Sequence, residues 1–388
     1  MASNYDAKAL EMHKKHRGKL TVQSAIPVQT KDDLSTAYTP GVAAPCLEIA
    51  ADIRKVYDYT IKSHTVGVIT DGSAVLGLGN IGPEASLPVM EGKALLFKEF
   101  ANVDAFPIAL TTQNAQEIIE TVKRISPVFG GINLEDISAP RCFEIEDALQ
   151  DLGIPVFHDD QHGTAIVVAA GLVNALKLAQ KELSQVRILI NGVGAAGVAI
   201  AKLLMGMGAK NLILCDSKGA IYEGRDNLNS MKESLAKVTN LEKISGDIHT
   251  AIQGIDVFIG VSKADLLNGD DVKAMGDKPM IFAMANPVPE IMPDVALAAG
   301  AFIVATGRSD FPNQVNNVLA FPGIFKGALD AGAKQITPGM KMAAVTALAN
   351  YISEPTITTI LPSSLDKEVA NSIACAVEKQ AKEDGICR

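Results

Sequence analysis

Short apolar runs alternate with longer helical patterns along the first half of the chain. The runs at 65–70 (TVGVIT) and 105–110 (AFPIAL) are rich in branched residues and end at turn or polar residues, which predicts strands. The stretches 87–100 and 115–125 that follow them have the periodicity of helices. Because strands alternating with helices favour a parallel sheet with crossover connections, we predict an α/β fold here.

A long apolar stretch rich in small residues, 164–179, follows this half. It predicts a buried helix that joins two parts of the molecule. A membrane span is the weaker interpretation, because Asn174 and Lys177 interrupt the stretch. We therefore expect no membrane association.

The second half has the pattern of a doubly wound, Rossmann-type parallel sheet. A strand at 187–191 (RILIN) leads into Gly192-Val-Gly194-Ala195-Ala196-Gly197, and a helix and a second strand follow at 198–207 and 211–216. Further strands are predicted at 256–261, 280–285 and 301–306. We predict an N-terminal α/β domain over 1–158 and a dinucleotide-binding domain over 159–388. Its helical segment from about 311 onwards is a candidate to pack back on the first domain.

Composition excludes several classes of protein. The 388 residues are 48% hydrophobic with a net charge of −9 and no basic block, which fits a globular protein and argues against nucleic-acid binding. The N-terminal stretch has no apolar core flanked by a cleavage site, so no export is expected. An odd number of scattered cysteines indicates a reducing, cytoplasmic setting. These are Cys46, Cys142, Cys215, Cys375 and Cys387.

The glycine turn and the acid that follows it predict a dinucleotide site. Its three glycines allow a tight turn and close approach of backbone to a pyrophosphate, and we expect Ala195 and Ala196 to contact the cofactor as well. Asp216 closes the next strand and is placed to accept hydrogen bonds from an NAD ribose. Ser217 and Lys218 follow it, and Lys218 or Arg225 could instead meet the 2′-phosphate of NADP. The choice between NAD and NADP stays open.

Two acidic clusters precede the glycine turn, Glu135-Asp136 in GGINLEDISAP and Asp159-Asp160 in VFHDDQHGTA. Carboxylate oxygens suit a hard cation, so Glu135, Asp136 and Asp160 are candidate ligands of Mg²⁺ or Mn²⁺. From spacing alone, solvated faces or helix caps are an equal alternative. The neighbouring histidines are given no metal role, because a hard cation prefers oxygen.

Long motifs in one order through nearly the whole chain resemble the malic enzyme family in its short microbial form. They are YTPGVA, TDGSAVLGLGNIGP, PVMEGKALLF, FGGINLEDISAPRCFEIE, FHDDQHGTA, AMANPVPEI and GRSDFPNQVNNVLAFPGIF. The resemblance implies oxidative decarboxylation of L-malate to pyruvate and CO₂ with reduction of NAD or NADP. It also implies a homo-oligomer.

The resemblance gives each motif residue a role. It implies that Glu135, Asp136 and Asp160 bind the metal, Lys93 is the general base, Tyr38 the general acid and Asp159 an accessory acid, while Asn286, Asn317 and the adjacent Asn316 contact substrate or nicotinamide. From the residues alone, Tyr38 would be a half-buried aromatic before a Pro-Gly turn and Lys93 an ordinary exposed helix lysine. For Lys93 to act as a base, we expect burial and a nearby dication to lower the pKa of its ammonium.

One departure and two rival functions remain. Longer relatives carry a carboxylate-binding arginine after the TDG motif, whereas this chain has Ser73-Ala74.

A malolactic enzyme would share these motifs but retain the cofactor and form lactate. A catalytically silent dinucleotide-binding regulator is the rival of a different class.

Overall fold

The computed structural model describes residues 5–388, which contain two mainly parallel sheets. The first sheet has four parallel strands in the order β2-β1-β3-β4. Its elements and their connections are α1 (Asp6–His16), α2 (Lys31–Ala37), α3 (Ala43–Ala51), α4 (Val56–Tyr59), β1 (Thr65–Thr70), α5 (Pro83–Ala101), β2 (Asp104–Ala109), α6 (Ala115–Ile125), β3 (Gly131–Leu134), α7 (Arg141–Leu149) and β4 (Val156–His158).

The second sheet has six strands in the order β10-β9-β8-β5-β6-β7, and only β7 at its edge is antiparallel. Its elements are β5 (Arg187–Asn191), α9 (Ala195–Gly206), β6 (Asn211–Asp216), β7 (Gly219–Ile221), α10 (Ser230–Ala236), α11 (Ile248–Ala251), β8 (Val257–Gly260), α12 (Gly269–Ala274), β9 (Met280–Ala283), α13 (Pro293–Ala298) and β10 (Ile303–Thr306). The strand order reverses between β5 and β8, and ligands of open α/β sheets bind beyond such a point. The predicted fold class is confirmed.

Helix α8 (Asp159–Ala179) connects the two sheets. By length and composition it could cross a membrane, but 72% of its apolar window is buried inside the fold. Asn174 belongs to the core as well, because its amide donates to the carbonyls of Ala349 and Ile360 at 2.9 Å each. A buried polar side chain with both donors satisfied is compatible with a core helix.

Three further helices follow β10 along the chain. They are α14 (Phe321–Asp330), α15 (Pro338–Asn350) and α16 (Glu368–Glu383). Helices α14 and α16 both contact α5 of the first part. The ring centroids of Phe97 on α5 and Phe321 on α14 are 4.8 Å apart, in an edge-to-face arrangement typical of aromatic cores. The domain boundary at 158/159 stays a prediction.

The N-terminal helices differ from the rest of the fold. Helices α1, α2 and α3 bury no residue, and several large apolar side chains on and between them are exposed. We call residues 20–52 the N-terminal arm. Exposed apolar side chains of this number are typical of a surface that another protein covers.

Candidate active site

Five residues form an acid–lysine cluster at the carboxyl edge of the first sheet: Lys93, Glu135, Asp136, Asp159 and Asp160. The first acidic pair follows β3, and the second follows β4 and opens α8. Because β3 and β4 are parallel neighbours, the residues that follow them emerge at the same edge of the sheet. The N-terminus of α8 also favours negative charge.

Lys93 lies on α5 and is only 7% exposed. Its ammonium donates to Asp159 Oδ2 at 2.5 Å and lies 3.0 Å from Glu135 Oε1. The Phe321 ring centroid is 4.3 Å from Nζ, and Asn317 donates to the same Asp159 oxygen at 2.5 Å. Lys93 is therefore a buried cation held by two carboxylates, not an ordinary exposed lysine.

The three candidate metal ligands lie together. Glu135, Asp136 and Asp160 each offer an oxygen, and these oxygens lie within 4.8 Å of one another. Opposite oxygens around one Mg²⁺ are about 4.2 Å apart, so small side-chain rotations would let all three share one ion. The backbone N–H of Asp136 donates to Asp160 Oδ2 at 2.8 Å, and Asp136 has a φ of 54°. A left-handed φ at a non-glycine residue is frequent at functional sites.

The charges of this cluster do not balance. Three carboxyl groups, those of Glu135, Asp159 and Asp160, act on the ammonium of Lys93. Burial raises the pKa of Glu135 to about 7, of Asp159 to about 7 and of Asp160 to about 6, although Lys93 opposes the change. Burial lowers the pKa of Lys93, but the carboxylates outweigh burial and the net shift is upward. The lowered pKa that the sequence analysis expects for Lys93 is therefore not produced by these residues alone. A buried oxygen-rich site with excess negative charge fits a divalent cation.

A cleft of about 560 Å³ joins this cluster to the second sheet. Asp136 and Asp160 line one side, and the glycine turn lines the other through Gly194, Ala195 and Ala196. The three predicted asparagines, Asn286, Asn316 and Asn317, also line it. The fold therefore brings these side chains from distant segments into one space.

The glycine turn has the steric properties that a pyrophosphate site needs. A Cβ at Gly192 would lie 2.6 Å from the Val261 carbonyl oxygen, and a Cβ at Gly197 would lie 1.8 Å from the Gly192 carbonyl oxygen. At Gly194 no described atom lies within 4 Å of a Cβ position. The first and third glycines are thus required by packing, whereas the second leaves room for a ligand.

Asp216 at the end of β6 forms a second charged cluster, the Asp216 cluster, with Arg225 and Lys232. Both oxygens of Asp216 accept from Arg225, at 3.0 and 2.6 Å, and Lys232 Nζ lies 2.5 Å away. Burial alone would raise the pKa of Asp216, but these hydrogen bonds outweigh it and lower the pKa. Lys218 contributes its backbone N–H at 2.9 Å, and Ser217 is exposed.

Family models match most of the chain. A model described as the malic enzyme N-terminal domain matches residues 16–118 and 112–150, and one described as the malic enzyme NAD binding domain matches residues 161–382. The chain belongs to the malic enzyme family. Its nucleotide cofactor is accordingly NAD or NADP.

Individual malic enzymes resemble the chain over nearly its full length. A bifunctional malic/malolactic enzyme of Bacillus subtilis is 58% identical over 98% of this chain and 94% of its own. An NAD-dependent malic enzyme of Geobacillus stearothermophilus is 53% identical over 96% of this chain and 78% of its own. The crystal structure of an NAD-dependent malic enzyme from Thermotoga maritima has a TM-score of 0.93 and 51% identity, and the match covers 95% of this chain and 98% of that one.

Tyr38 does not join the cluster within this chain. It lies in the N-terminal arm at the end of α2, its side chain is 67% exposed, and no residue in the described range 5–388 hydrogen-bonds its hydroxyl. Its assignment as the general acid stays a prediction.

Sequence reasoning gave no role to three residues that shape the site. Arg141 donates to Asp71 and Ser73, at 2.8 and 2.9 Å, and so lies beside the stretch where longer malic enzymes carry their arginine. Buried Glu290 accepts from the backbone of Ser262 and Ala285, which fixes two cleft loops. Lys232 is the third. The motifs AMANPVPEI and FGGINLEDISAPRCFEIE contain Glu290 and Arg141 and were the signal for them, whereas nothing local marked Lys232.

Proposed function

We propose that this protein oxidatively decarboxylates L-malate to pyruvate and CO₂ and reduces NAD or NADP, with a divalent metal ion held by Glu135, Asp136 and Asp160. The observation that carries the proposal is one cleft that Asp136 and Asp160 of the acid–lysine cluster line on one side and the glycine turn lines on the other. The names of the similar proteins, all malic enzymes, support an enzyme over a silent regulator.

The metal and the nucleotide supply the charge and the redox chemistry. When bound, a Mg²⁺ or Mn²⁺ ion would acidify the malate hydroxyl and stabilise negative charge on the oxygen during loss of CO₂, and the nicotinamide would accept hydride from C2. The chain's own part is to hold the three carboxylates close together and to orient the substrate. Asn286, Asn316 and Asn317 line the cleft and offer amide groups for that purpose.

Lys93 is the candidate base for the hydroxyl proton. A base must first lose its own proton, and Asp159 Oδ2 lies 2.5 Å from Nζ as an acceptor. Asn317 donates to the same oxygen and so fixes its orientation. Lys93 can therefore pass its proton to Asp159, while Asn317 only positions the accepting oxygen.

The exposure of Tyr38 supports a homo-oligomer in which the N-terminal arm carries Tyr38 to the site of a second copy. The arm and its neighbours expose large apolar side chains, including Leu10, Val22 and Leu47 at 75%, 88% and 71%.

We expect Lys93→Ala and Tyr38→Phe each to be inactive alone. When the two variants are mixed and their subunits exchange, part of the activity should return, because some mixed dimers then hold one intact site. Sedimentation measures the dimer; no recovery despite proven exchange would place both residues in one protomer's site.

A malolactic activity is the second candidate, since the Bacillus subtilis relative is named as bifunctional. It would use the same residues but retain the reduced nucleotide and form lactate. The two outcomes differ in the carbon product and in the reduced nucleotide released.

A reducing, cytoplasmic setting is the proposal for its location. All five cysteines are free, and Cys142 and Cys215 are buried. Disulfide frameworks are typical of oxidising compartments, and this chain has none in the described residues.

An initial-rate assay tests the main proposal. Malate is supplied with NAD and with NADP, each with and without Mn²⁺, and the product acid is identified. We expect pyruvate, reduced nucleotide and a requirement for the metal. Lactate without net reduced nucleotide would favour the malolactic activity, and no turnover under any condition would refute both.

A further inference from the structure

A second cavity, of about 430 Å³, lies on the other side of α8 from the cleft. Asp160 and Thr164 of α8 line the cleft, whereas His162 and Ile166 line this cavity. Side chains four residues apart share a helix face, so α8 presents one face to each space. The cavity is therefore separate from the site described above.

Most of the cavity wall is apolar. It includes Phe143, Ile166, Val198, Leu203, Met231 and Met342. The polar and charged lining residues are Glu146, Asp147, Gln150, Gln161, His162, Lys202 and Lys341. A concave space of this size that combines an apolar wall with convergent polar groups is typical of a small-molecule site.

Two lysines in the wall, exposed Lys202 and half-buried Lys341, have side chains in no ion pair within residues 5–388. Neither ammonium group forms a hydrogen bond or ion pair with any residue of the described chain, and Lys341 Nζ lies 6.0 Å from the Phe157 ring centroid. Burial lowers the pKa of Lys341 and the charge of Lys202 lowers it further, whereas the charges of Glu146 and Asp147 oppose this change. An anion between the two lysines would relieve their repulsion.

The two acids in the wall, Glu146 and Asp147, form no ion pair with Lys202 or Lys341. Buried Glu146 already accepts from the His158 backbone, Gln161 and His162, at 3.1, 3.0 and 3.0 Å. Asp147 is exposed to solvent. These two carboxylates nevertheless balance the two lysines in net charge, which disfavours a doubly charged ligand.

We propose that this cavity binds a small organic monocarboxylate, with its carboxylate between Lys202 and Lys341 and its apolar body along the wall. The site is independent of the proposed activity, and its test uses binding alone.

Calorimetric titration of the full chain with octanoate tests the proposal, with octanol and octyl phosphate as matched probes. We expect octanoate to bind at least about tenfold more tightly than octanol, because a charge-assisted hydrogen bond distinguishes them. Octyl phosphate should bind more weakly than octanoate. Equal binding of octanoate and octanol, or no octanoate binding at millimolar concentration, would overturn the proposal.

Variants locate the site. Lys341→Met should weaken octanoate binding about tenfold and Lys341→Arg should largely retain it, while Lys326→Met, at an exposed ion pair with Asp330, should leave it unchanged. Leu203→Trp should block the cavity and remove binding altogether. If Lys341→Met does not fold, Lys202→Met replaces it. Octanoate affinity that survives both a lysine change and Leu203→Trp would place the ligand elsewhere.

Discussion

The acid–lysine cluster and the Asp216 cluster are built from the same kinds of side chain at the carboxyl ends of parallel strands, yet their charge balances are opposite. The first places three carboxyl groups, those of Glu135, Asp159 and Asp160, around one buried ammonium. The second places two cations, Arg225 and Lys232, around one carboxylate. The first therefore lacks positive charge, and the second lacks negative charge.

This difference indicates which ligand each cluster suits. A site short of positive charge favours a metal ion, whereas a site with spare cations favours a phosphate. At the end of β6 a phosphate would be the 2′-phosphate of NADP, so Arg225 and Lys232 are the residues at which NAD and NADP can be distinguished. The following experiments test each side of the comparison.

Removing the single cation of the first cluster should have the largest effect. Lys93→Ala should lower kcat by about 10³-fold, because a positioned base typically contributes about 10²- to 10⁴-fold to the rate. It should leave dinucleotide binding nearly intact. Steady-state rates and nucleotide fluorescence measure the two properties. Lys98→Ala is the matched control on the same helix, at a half-exposed ion pair with Asp104. Wild-type turnover in Lys93→Ala would remove this lysine from the mechanism.

Removing an anion from the first cluster should reduce metal dependence. Asp136→Ala should lower kcat by about 10²-fold and weaken activation by Mn²⁺, because one of three protein ligands is lost. A Mn²⁺ titration of the rate, checked by direct binding, measures this. Glu144→Ala, at an exposed acid on α7, should behave as wild type. An unchanged titration would exclude Asp136 as a ligand.

Removing a cation from the Asp216 cluster should have a smaller and selective effect. Arg225→Ala should lower kcat/KM for NADP about tenfold more than for NAD, because only NADP offers the phosphate. Parallel assays with the two nucleotides measure the ratio. Lys243→Ala, at an exposed ion pair with Glu223, is the control. An equal loss with both nucleotides would show that the arginine only maintains the fold.

The elements around the glycine turn could be predicted from the sequence. Strands at 65–70, 187–191 and 211–216 have the predicted bounds, because each is five or six residues long, apolar and bounded by turn residues. Strands β3, β4 and β7 were missed, since GINL and VFH contain polar residues and GAI has only three residues, whereas the equally short β8, β9 and β10 lie in longer apolar runs. The two acidic pairs directly follow β3 and β4, so from the residues alone their convergence was only as strong a prediction as solvated faces or helix caps, and the family resemblance favoured it.

Other parts of the site depend on long-range folding. Asn317 and Asp159 are 158 residues apart in sequence yet share a hydrogen bond. Lys232 lies on α10, 16 residues after Asp216, and only the return of the chain brings the two together. The proposed place of Tyr38 in the site of a second copy has no local signal in the sequence, because Tyr38 lies exposed and apart from the acid–lysine cluster of its own chain. Sequence motifs thus identified candidate chemistry, and tertiary contacts determined its neighbours.

The closed packing of the glycine turn has a consequence for coenzyme engineering. Since side chains at 192 and 197 would collide with carbonyl oxygens, a designer who wishes to exchange one coenzyme for the other has no freedom at these two positions of the loop under the pyrophosphate. The charged positions at and after the end of β6 carry no such constraint. A library restricted to 216, 225 and 232 would therefore sample the productive variants and spare the segment that every bound coenzyme needs.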